Sequence, residues 1–237
     1  MQGESCDELG FDATGVVGDR GFGVLDLASG TIISAKREGR LLEAGASLVS
    51  GALRVTLPSG GEFERGDALD ESLTLWLGRP VRLVDATTFG VATFEAPEDF
   101  EHDDSPLEQW EGIGGSFVDD SALHVLASSE LRRLSLERPD LQWHTRRFRP
   151  NVVVDDEAAP WGPMKSGQRL RAGDVEIEFQ RGCQRCVMTT RPQPGNLERQ
   201  LDVLRHVSRE HDNTVGERAG VVRGGVVRVG DTVSLVD

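Results

Sequence analysis

Features that mark several common protein classes are scarce in this sequence. Only three cysteines occur in 237 residues, an odd number that does not make a disulfide framework, so reduced thiols are expected. No segment approaches the roughly 18 consecutive apolar residues that a membrane helix needs. The first ten residues have neither the basic start nor the apolar stretch of a signal peptide. We therefore expect a cytoplasmic protein without a membrane partner.

Net positive charge is also lacking, which bears on the partners of the protein. The formal charge of −14 opposes general affinity for nucleic acid or anionic membranes, because such a field repels phosphate. The charge is unevenly spread, however. Residues 141–237 contain 15 Lys+Arg and 13 Asp+Glu, whereas residues 1–140 contain 11 and 27. The C-terminal part is thus locally basic, and its arginines are candidates for binding an anion.

Short runs of Val, Ile, Leu and Thr separated by glycine predict a strand-rich fold. Helical spacing of apolar residues predicts helices at 67–78 and after Asn196. A third helix is predicted at 128–136, with Ser128 placed to accept hydrogen bonds from the first free amides. The fold class predicted is mainly β with a few helices (α+β). Strands are predicted at 23–27, 31–35, 53–57, 81–84, 122–127, 147–154, 173–179, 226–229 and 232–236.

An acidic segment divides the chain. Residues 95–120 contain ten carboxylates and no Lys or Arg, with Pro97 and Pro106 inside the run. This composition is typical of a solvated linker or long loop. The predicted organisation is an N-terminal β domain at 1–94, an acidic linker at 95–121 and a second domain at 122–237.

The first candidate binding motif is Thr145-Arg-Arg-Phe-Arg-Pro-Asn151. In an extended segment, Arg147, Arg149 and Asn151 would share one side, because side chains alternate between faces. Two guanidinium groups and an amide on one face can bind a phosphate through bidentate hydrogen bonds. Pro150 lacks a backbone donor and suits an edge or a bulge where a strand opens toward a ligand.

The second candidate motif is Arg181-Gly-Cys183-Gln-Arg185-Cys186-Val-Met-Thr-Thr190. A thiolate is a nucleophile and a soft metal ligand, and neighbouring arginines favour it. Four interpretations of the two cysteines are open. A structural zinc site lacks a second pair of ligands, and a thioredoxin-like dithiol does not suit surroundings that resemble strands. The other two are a pair of inert buried cysteines and one metal-bound thiolate beside an incidental cysteine. Alternation places Cys183 and Arg185 on one side, and Gln184 and Cys186 on the other.

Taken in order, the motifs resemble the MOSC family, named for molybdenum-cofactor sulfurase C-terminal domains. The resemblance is carried by Arg149-Pro-Asn151, Gly173-Asp-Val-Glu176, Arg185-Cys-Val-Met-Thr-Thr190 and Val229-Gly-Asp-Thr-Val233. It is closest to the branch of the mitochondrial amidoxime-reducing component, since Gly15-Val-Val-Gly-Asp-Arg20 and Ser34-Ala-Lys-Arg37 are similar to the domain that precedes MOSC there.

This resemblance implies a fold and a cofactor. The implied fold is a MOSC β-barrel preceded by a smaller N-terminal β-barrel-like domain. The implied cofactor is the molybdenum cofactor, a molybdopterin whose metal is bound by the cysteine at position 186. The candidate cofactor-binding residues are Arg149, Asn151, Arg147, Arg185, Lys36 and Arg20.

Three departures from the family pattern affect the expected activity more than the fold. The strand with Lys and Ser that precedes the Gly-Glu matched by Gly3-Glu4 is not in this sequence, so weaker cofactor binding is one expectation. A common aromatic is replaced within Gly216-Glu-Arg218, and a serine or threonine is replaced at Ala127.

Two functions are compatible with the resemblance. One is a molybdenum-dependent reductase of N-hydroxylated or similar oxygen-bearing substrates. Its electrons would come from a separate donor protein, because no dinucleotide fingerprint, iron–sulfur cysteine set or haem motif occurs. The other is a non-catalytic carrier of the cofactor or of sulfur, in a family whose larger members include a pyridoxal-phosphate desulfurase domain. A β protein without a cofactor is the third possibility.

Overall fold

The protein is mainly β with a few helices, as predicted. A computed structural model describes residues 1–118 and 120–236, and the chain divides into two compact units. The first unit comprises Met1–Glu4, Arg20–Asp120 and Pro192–Leu197, and the second comprises Ser5–Asp19, Ser121–Arg191 and the chain from Glu198 onward. No helix among the described residues is long and apolar enough to cross a membrane.

The elements are numbered in chain order. The strands are β1 Glu8–Asp12, β2 Gly15–Val16, β3 Phe22–Asp26, β4 Ile32–Ile33, β5 Gly45–Val49, β6 Ala52–Thr56, β7 Glu62–Glu64, β8 Val81–Asp85, β9 Thr93–Pro97, β10 Leu107–Glu111, β11 Leu123–Ala127, β12 Val152–Val154, β13 Arg169–Ala172, β14 Val175–Gln184, β15 Thr214–Arg223, β16 Gly225–Arg228 and β17 Val233–Val236. The α-helices are α1 Asp67–Leu77, α2 Ala86–Phe89, α3 Ser128–Glu137, α4 Thr145–Phe148 and α5 Leu201–Glu210, and 3₁₀ helices span Gly39–Glu43 and Val187–Thr190.

The first unit contains a five-stranded sheet of order β10-β9-β4-β3-β8 and a three-stranded sheet of order β5-β6-β7. The predicted helix at 67–78 is confirmed as α1. It buries Leu69, Leu73 and Leu77 on one face and ends at Gly78, whose left-handed φ of 67° favours glycine. Each buried leucine contributes about 1.5–3 kcal/mol relative to an exposed one.

The acidic segment is more ordered than a linker. Strands β9 and β10 pair antiparallel from Thr93 to Glu111 and form one side of the five-stranded sheet. Glu95 is buried on this hairpin, forms an ion pair with Arg37 and accepts a hydrogen bond from Gln109 Nε2 at 2.8 Å. The expectation of a solvated loop is therefore wrong for this hairpin, because paired backbone and a buried ion pair fix it. The domain boundaries at 94/95 and 121/122 stay a prediction.

The second unit is built on a six-stranded sheet of order β12-β11-β15-β14-β13-β17 and a three-stranded sheet of order β16-β1-β2. One hydrophobic cluster joins strands of both sheets, and a second packs α3 and α5 against β11 and β15. The clusters include Phe11, Leu123, Val125, Ile177 and Phe179 in the first, and Leu126, Leu134, Phe148, Val203, Val207 and Val215 in the second.

Helix α3 begins where predicted, but its cap comes from another segment. Ser128 was expected to accept hydrogen bonds from the first free amides of the helix. Instead Asp156 Oδ1 accepts from Ser129 N at 2.8 Å, and Ser128 Oγ donates to the same carboxylate at 3.2 Å. A carboxylate at a helix start satisfies orphan amides and opposes the helix dipole. The segment after β12 is thereby fixed to α3.

Candidate functional site

The segment that carries the basic motif is a helical turn and not a strand. Thr145–Phe148 form α4, capped by His144 Nδ1, which accepts from Arg146 N at 3.1 Å. The prediction that Arg147, Arg149 and Asn151 share one face of a strand is wrong, because alternation between faces applies only to extended backbone. Strand β12 begins only at Val152.

Arg147 is fully buried and its guanidinium clamps several segments of the second unit together through hydrogen bonds. All three guanidinium nitrogens donate hydrogen bonds, so none of its donors is left for a ligand. The acceptors, at 2.7–3.4 Å, are the carbonyl oxygens of Gln142, Thr189, Arg191 and Glu198 and the side-chain oxygens of Gln142 and Gln200. Burial lowers the pKa of Arg147 to about 10, so the guanidinium stays charged at neutral pH.

Arg149 ends the helical turn in a conformation that is unusual for a side-chain-bearing residue. Its φ of 55° is left-handed, and its backbone N–H donates to Thr145 O at 2.9 Å. This conformation costs about 1–2 kcal/mol for a residue other than glycine. Such strain occurs often at functional sites, where the surrounding structure holds it in place.

Asn151 fastens the following turn to the central sheet. Its backbone N–H donates to His124 O at 2.8 Å, and its Oδ1 accepts from His124 N at 3.0 Å. Its Nδ2 donates to Asp19 Oδ2 at 2.8 Å. Both ends of the amide are thus engaged, and Asn151 holds the loop that carries Arg149 against β11.

The two cysteines of the second motif lie in different environments. Cys183 is 3% exposed at the end of β14 and accepts a hydrogen bond from Arg185 Nη1 at 2.8 Å. This contact agrees with the predicted placement of Cys183 and Arg185 on one side of the segment. Cys186 is partly exposed and precedes the 3₁₀ helix Val187–Thr190, where its carbonyl accepts from Thr189 N at 3.1 Å.

Two arginines connect the motifs in opposite directions. Arg147 Nη1 donates to Thr189 O at 3.1 Å, from α4 to the turn after Cys186. Arg185 Nη2 donates to Phe148 O at 2.8 Å, from the cysteine segment to the end of α4, and its guanidinium lies 5.4 Å from the centre of the Phe148 ring. The loop that carries Arg149 and the loop that carries Cys186 are therefore held side by side.

The buried side chain of His124 and the partly buried carboxyl groups of Glu130 and Glu217 lie close to these loops and were not anticipated from the sequence. Burial, together with the nearby charge of Arg185, lowers the pKa of His124 to about 3. Burial raises the pKa of Glu130, which accepts from Gly216 N at 2.9 Å. Burial also raises the pKa of Glu217, whose Oε1 accepts from Met164 N at 3.1 Å. A single polar residue in a strand or a helix has no periodic signature, so no signal of this group was visible in the sequence.

The remaining two predicted residues belong to the first unit. Lys36 follows β4, and its Nζ lies 4.2 Å from the centre of the Trp110 ring. Arg20 has a φ of 50°, and its carbonyl accepts from Phe117 N at 2.8 Å. The structure thus brings Arg147, Arg149, Asn151, Arg185 and Cys186 together in the second unit, and it places Lys36 and Arg20 in the first.

Several solved structures are similar to this chain, all at low identity. A hypothetical protein shares 18% identity with a TM-score of 0.38, over 50% of this chain and 52% of its own. YiiM from Geobacillus stearothermophilus shares 16% with a TM-score of 0.38, over 55% and 67%. The YUAD protein from Bacillus subtilis shares 11% with a TM-score of 0.40, over 98% and 86%. The alignment spans about half the length of the first of these proteins.

The family is identified by sequence and not by these distant structures. No curated protein matches the chain at a significant level. The model of the MOSC domain matches residues 114–234, just over half of the chain, and this range contains both motifs and the two arginine contacts between them. The chain belongs to the MOSC-domain family, which is associated with binding of the molybdenum cofactor.

Proposed function

We propose that the second unit binds the molybdenum cofactor, with the Cys186 thiolate as the protein ligand of molybdenum. The observation that carries this proposal is the difference between the two cysteines of the motif. Cys183 is buried and hydrogen-bonded to Arg185, whereas Cys186 is partly exposed beside the loop of Arg149. A soft thiolate suits molybdenum as a ligand.

The residues present fit an anionic, metal-bearing group. Arg185 Nε is buried and has no hydrogen-bond partner among the described residues, so positive charge beside the two loops is incompletely compensated. Arg149 is the guanidinium that we assign to the pterin phosphate, and its left-handed backbone sets the direction of its side chain. Arg147, Arg185 and Asn151 position the loops. Contacts of Lys36 and Arg20 with the cofactor rest on the family resemblance alone.

The reaction proposed is reduction of N-hydroxylated or similar oxygen-bearing substrates, as in the branch of the amidoxime-reducing component. Bound molybdenum supplies two-electron oxygen-atom chemistry. The protein holds the thiolate, compensates the charge of the cofactor and limits the motion of both loops. Electrons come from a separate donor protein, and we place the reaction in the cytoplasm.

The test is the cofactor content and the turnover of protein purified from a host that makes the cofactor. We expect molybdenum and pterin in equal amounts, approaching one of each per chain, and reduction of a model amidoxime by an artificial electron donor. Bound cofactor without turnover would favour the carrier function. Protein without molybdenum from such a host would contradict the proposal.

A further inference from the structure

Three potential metal ligands meet in the second unit, away from the cysteine motif in sequence. Glu137 is the last residue of α3, His206 lies in α5, and His211 follows the last residue of α5. Their ligand atoms all lie within 4.8 Å of one another. Among residues 1–118 and 120–236, no other three His, Cys, Asp or Glu side chains bring their ligand atoms this close together.

Both imidazoles point the same nitrogen at one carboxylate oxygen. His206 Nε2 lies 3.0 Å from Glu137 Oε2, and His211 Nε2 lies 2.7 Å from it. In a tetrahedral zinc site with bonds of about 2.0–2.1 Å, ligand atoms are about 3.3 Å apart. The His206 contact therefore has to lengthen by about 0.3 Å and the His211 contact by about 0.6 Å, which a side-chain rotation supplies.

The histidines are held in place before any ion binds. The side chains of His206 and His211 are 12% exposed, while that of Glu137 is 33% exposed. The His206 ring packs edge-on against Trp143 at 5.7 Å, and Trp143 Nε1 donates to Arg138 O at 2.9 Å, next to Glu137. Preorganised ligands with one solvent-facing side lower the cost of binding a metal.

We propose that Glu137, His206 and His211 form a binding site for Zn²⁺, with its fourth coordination position open to solvent. Two neutral imidazole nitrogens and one carboxylate oxygen are a ligand set that zinc accepts with a water molecule in the fourth position. The ion would join the end of α3 to the end of α5. Asn213, two residues after His211, donates through Nδ2 to Arg185 O and accepts from Arg185 N, both at 2.8 Å. Zinc would thus restrain the turn that holds the cysteine motif.

Arg133 competes with the ion, because it contacts two of the three proposed ligand side chains. Its Nη1 lies 2.8 Å from His211 Nδ1 and 3.2 Å from Glu137 Oε1. A neutral imidazole that binds metal through Nε2 carries its proton on Nδ1, and Nδ1 then cannot accept from Arg133. Arg133 has to turn away when zinc binds, and its side chain is 48% exposed, so it can do so. Removal of Arg133 should therefore tighten zinc binding.

The experiment is a zinc titration of chelator-treated full-length protein by calorimetry, with thermal unfolding recorded in parallel. We expect one Zn²⁺ per chain and a zinc-dependent rise in Tm. His206→Gln, His211→Gln and Glu137→Gln should each weaken binding by more than about 100-fold, since loss of an outer-shell partner already costs 10–100-fold. Arg133→Met should tighten binding severalfold. The matched controls, Arg132→Met on the same helix and His102→Gln in the first unit, should leave affinity unchanged.

The cysteines are the competing explanation for bound zinc. Cobalt substituted at the proposed site should give visible bands without a sulfur-to-metal charge-transfer band, and Cys183→Ser and Cys186→Ser should retain zinc. Wild-type protein that binds no zinc at 100-fold excess, or zinc lost in the cysteine variants and kept in the histidine variants, would overturn the proposal. Far-UV circular dichroism of each variant shows whether a loss reflects unfolding.

Discussion

The segment Thr145–Asn151 and the segment Arg181–Thr190 both carry arginines beside a candidate ligand group, yet they use them differently. Arg147 in the first segment donates only to neutral oxygens of the protein and is inaccessible. Arg185 in the second donates to a sulfur and a carbonyl and keeps one buried N–H without a partner among the described residues. The comparison teaches that an arginine-rich motif near a binding site can be mainly scaffold.

The largest expected effect concerns the clamp of the first segment. Arg147→Met leaves several buried carbonyl and amide oxygens without donors, so we expect a loss of about 3–5 kcal/mol in the free energy of unfolding. Arg132→Met removes an exposed arginine that pairs with Glu157 and should cost less than about 1 kcal/mol. Urea denaturation of both variants measures the difference. Equal stabilities would show that Arg147 does not hold the two segments together.

The second prediction concerns the close packing of β15 against β11 at Gly216 and His124. Gly216 has a φ of 75°, and a Cβ there would clash with His124 Nε2 and lie 2.8 Å from Val125 O. We expect Gly216→Ala to lower the free energy of unfolding by about 2–4 kcal/mol. Gly30 has a similar φ of 73° and an open environment, so Gly30→Ala should cost about 1 kcal/mol from backbone strain alone. Similar losses in the two variants would mean that the packing around His124 is loose.

The third prediction uses the depressed pKa of His124. Its folded pKa of about 3 lies below the ordinary histidine value of 6.5, so the unfolded chain takes up the proton first as the pH falls. The stability from neutral His124 is present above about pH 6.5 and is lost between about pH 6.5 and 3, at about 1.4 kcal/mol per pH unit. In urea titrations at several pH values, the free energy of unfolding of His124→Gln should fall less steeply with decreasing pH than that of the wild type, by the contribution of one proton. An unchanged slope would contradict burial of a neutral His124.

The smallest expected effect on stability separates Arg149 from Arg147. Arg149→Gly relieves the left-handed backbone while it removes a side chain, so we expect the free energy of unfolding to change by less than about 1 kcal/mol. Molybdenum content should fall at least about tenfold if Arg149 binds the pterin phosphate. Unfolding curves and metal analysis on the same preparation check both parts. Full molybdenum content in this variant would remove Arg149 from the proposed site.

Sequence patterns predicted the regular parts of this fold better than its loops. The spacing of Leu69 and Leu73 and the stop at Gly78 identified α1 because local rules decide an amphipathic helix with a glycine end. The turn at 145–148 was missed because its helical shape depends on distant acceptors such as Thr189 O and Glu198 O. The hairpin of β9 and β10 was missed because the partner charge of Glu95, Arg37, lies far away in sequence.

Part of the candidate site was also predictable. Alternation correctly separated Cys183 from Gln184 within β14, because that segment is extended. The roles of His124, Gln142 and Gln200 were not predictable, since a single polar residue in a strand or loop has no periodic signature. Motif order identified the family, and only the structure distinguishes Arg147, whose nitrogens all donate to the protein, from Arg185, which keeps one buried N–H without a partner among the described residues.

The measurement that tests the central claim most directly is the molybdenum content of two serine variants, Cys186→Ser and Cys183→Ser, expressed together with cofactor synthesis. Serine keeps an acceptor for Arg185 at position 183 and removes the soft ligand at either position. The account predicts that Cys186→Ser loses nearly all molybdenum with an unchanged Tm, while Cys183→Ser keeps most of it. Equal losses in the two variants, or a greater loss in Cys183→Ser, would contradict the assignment of Cys186 as the metal ligand.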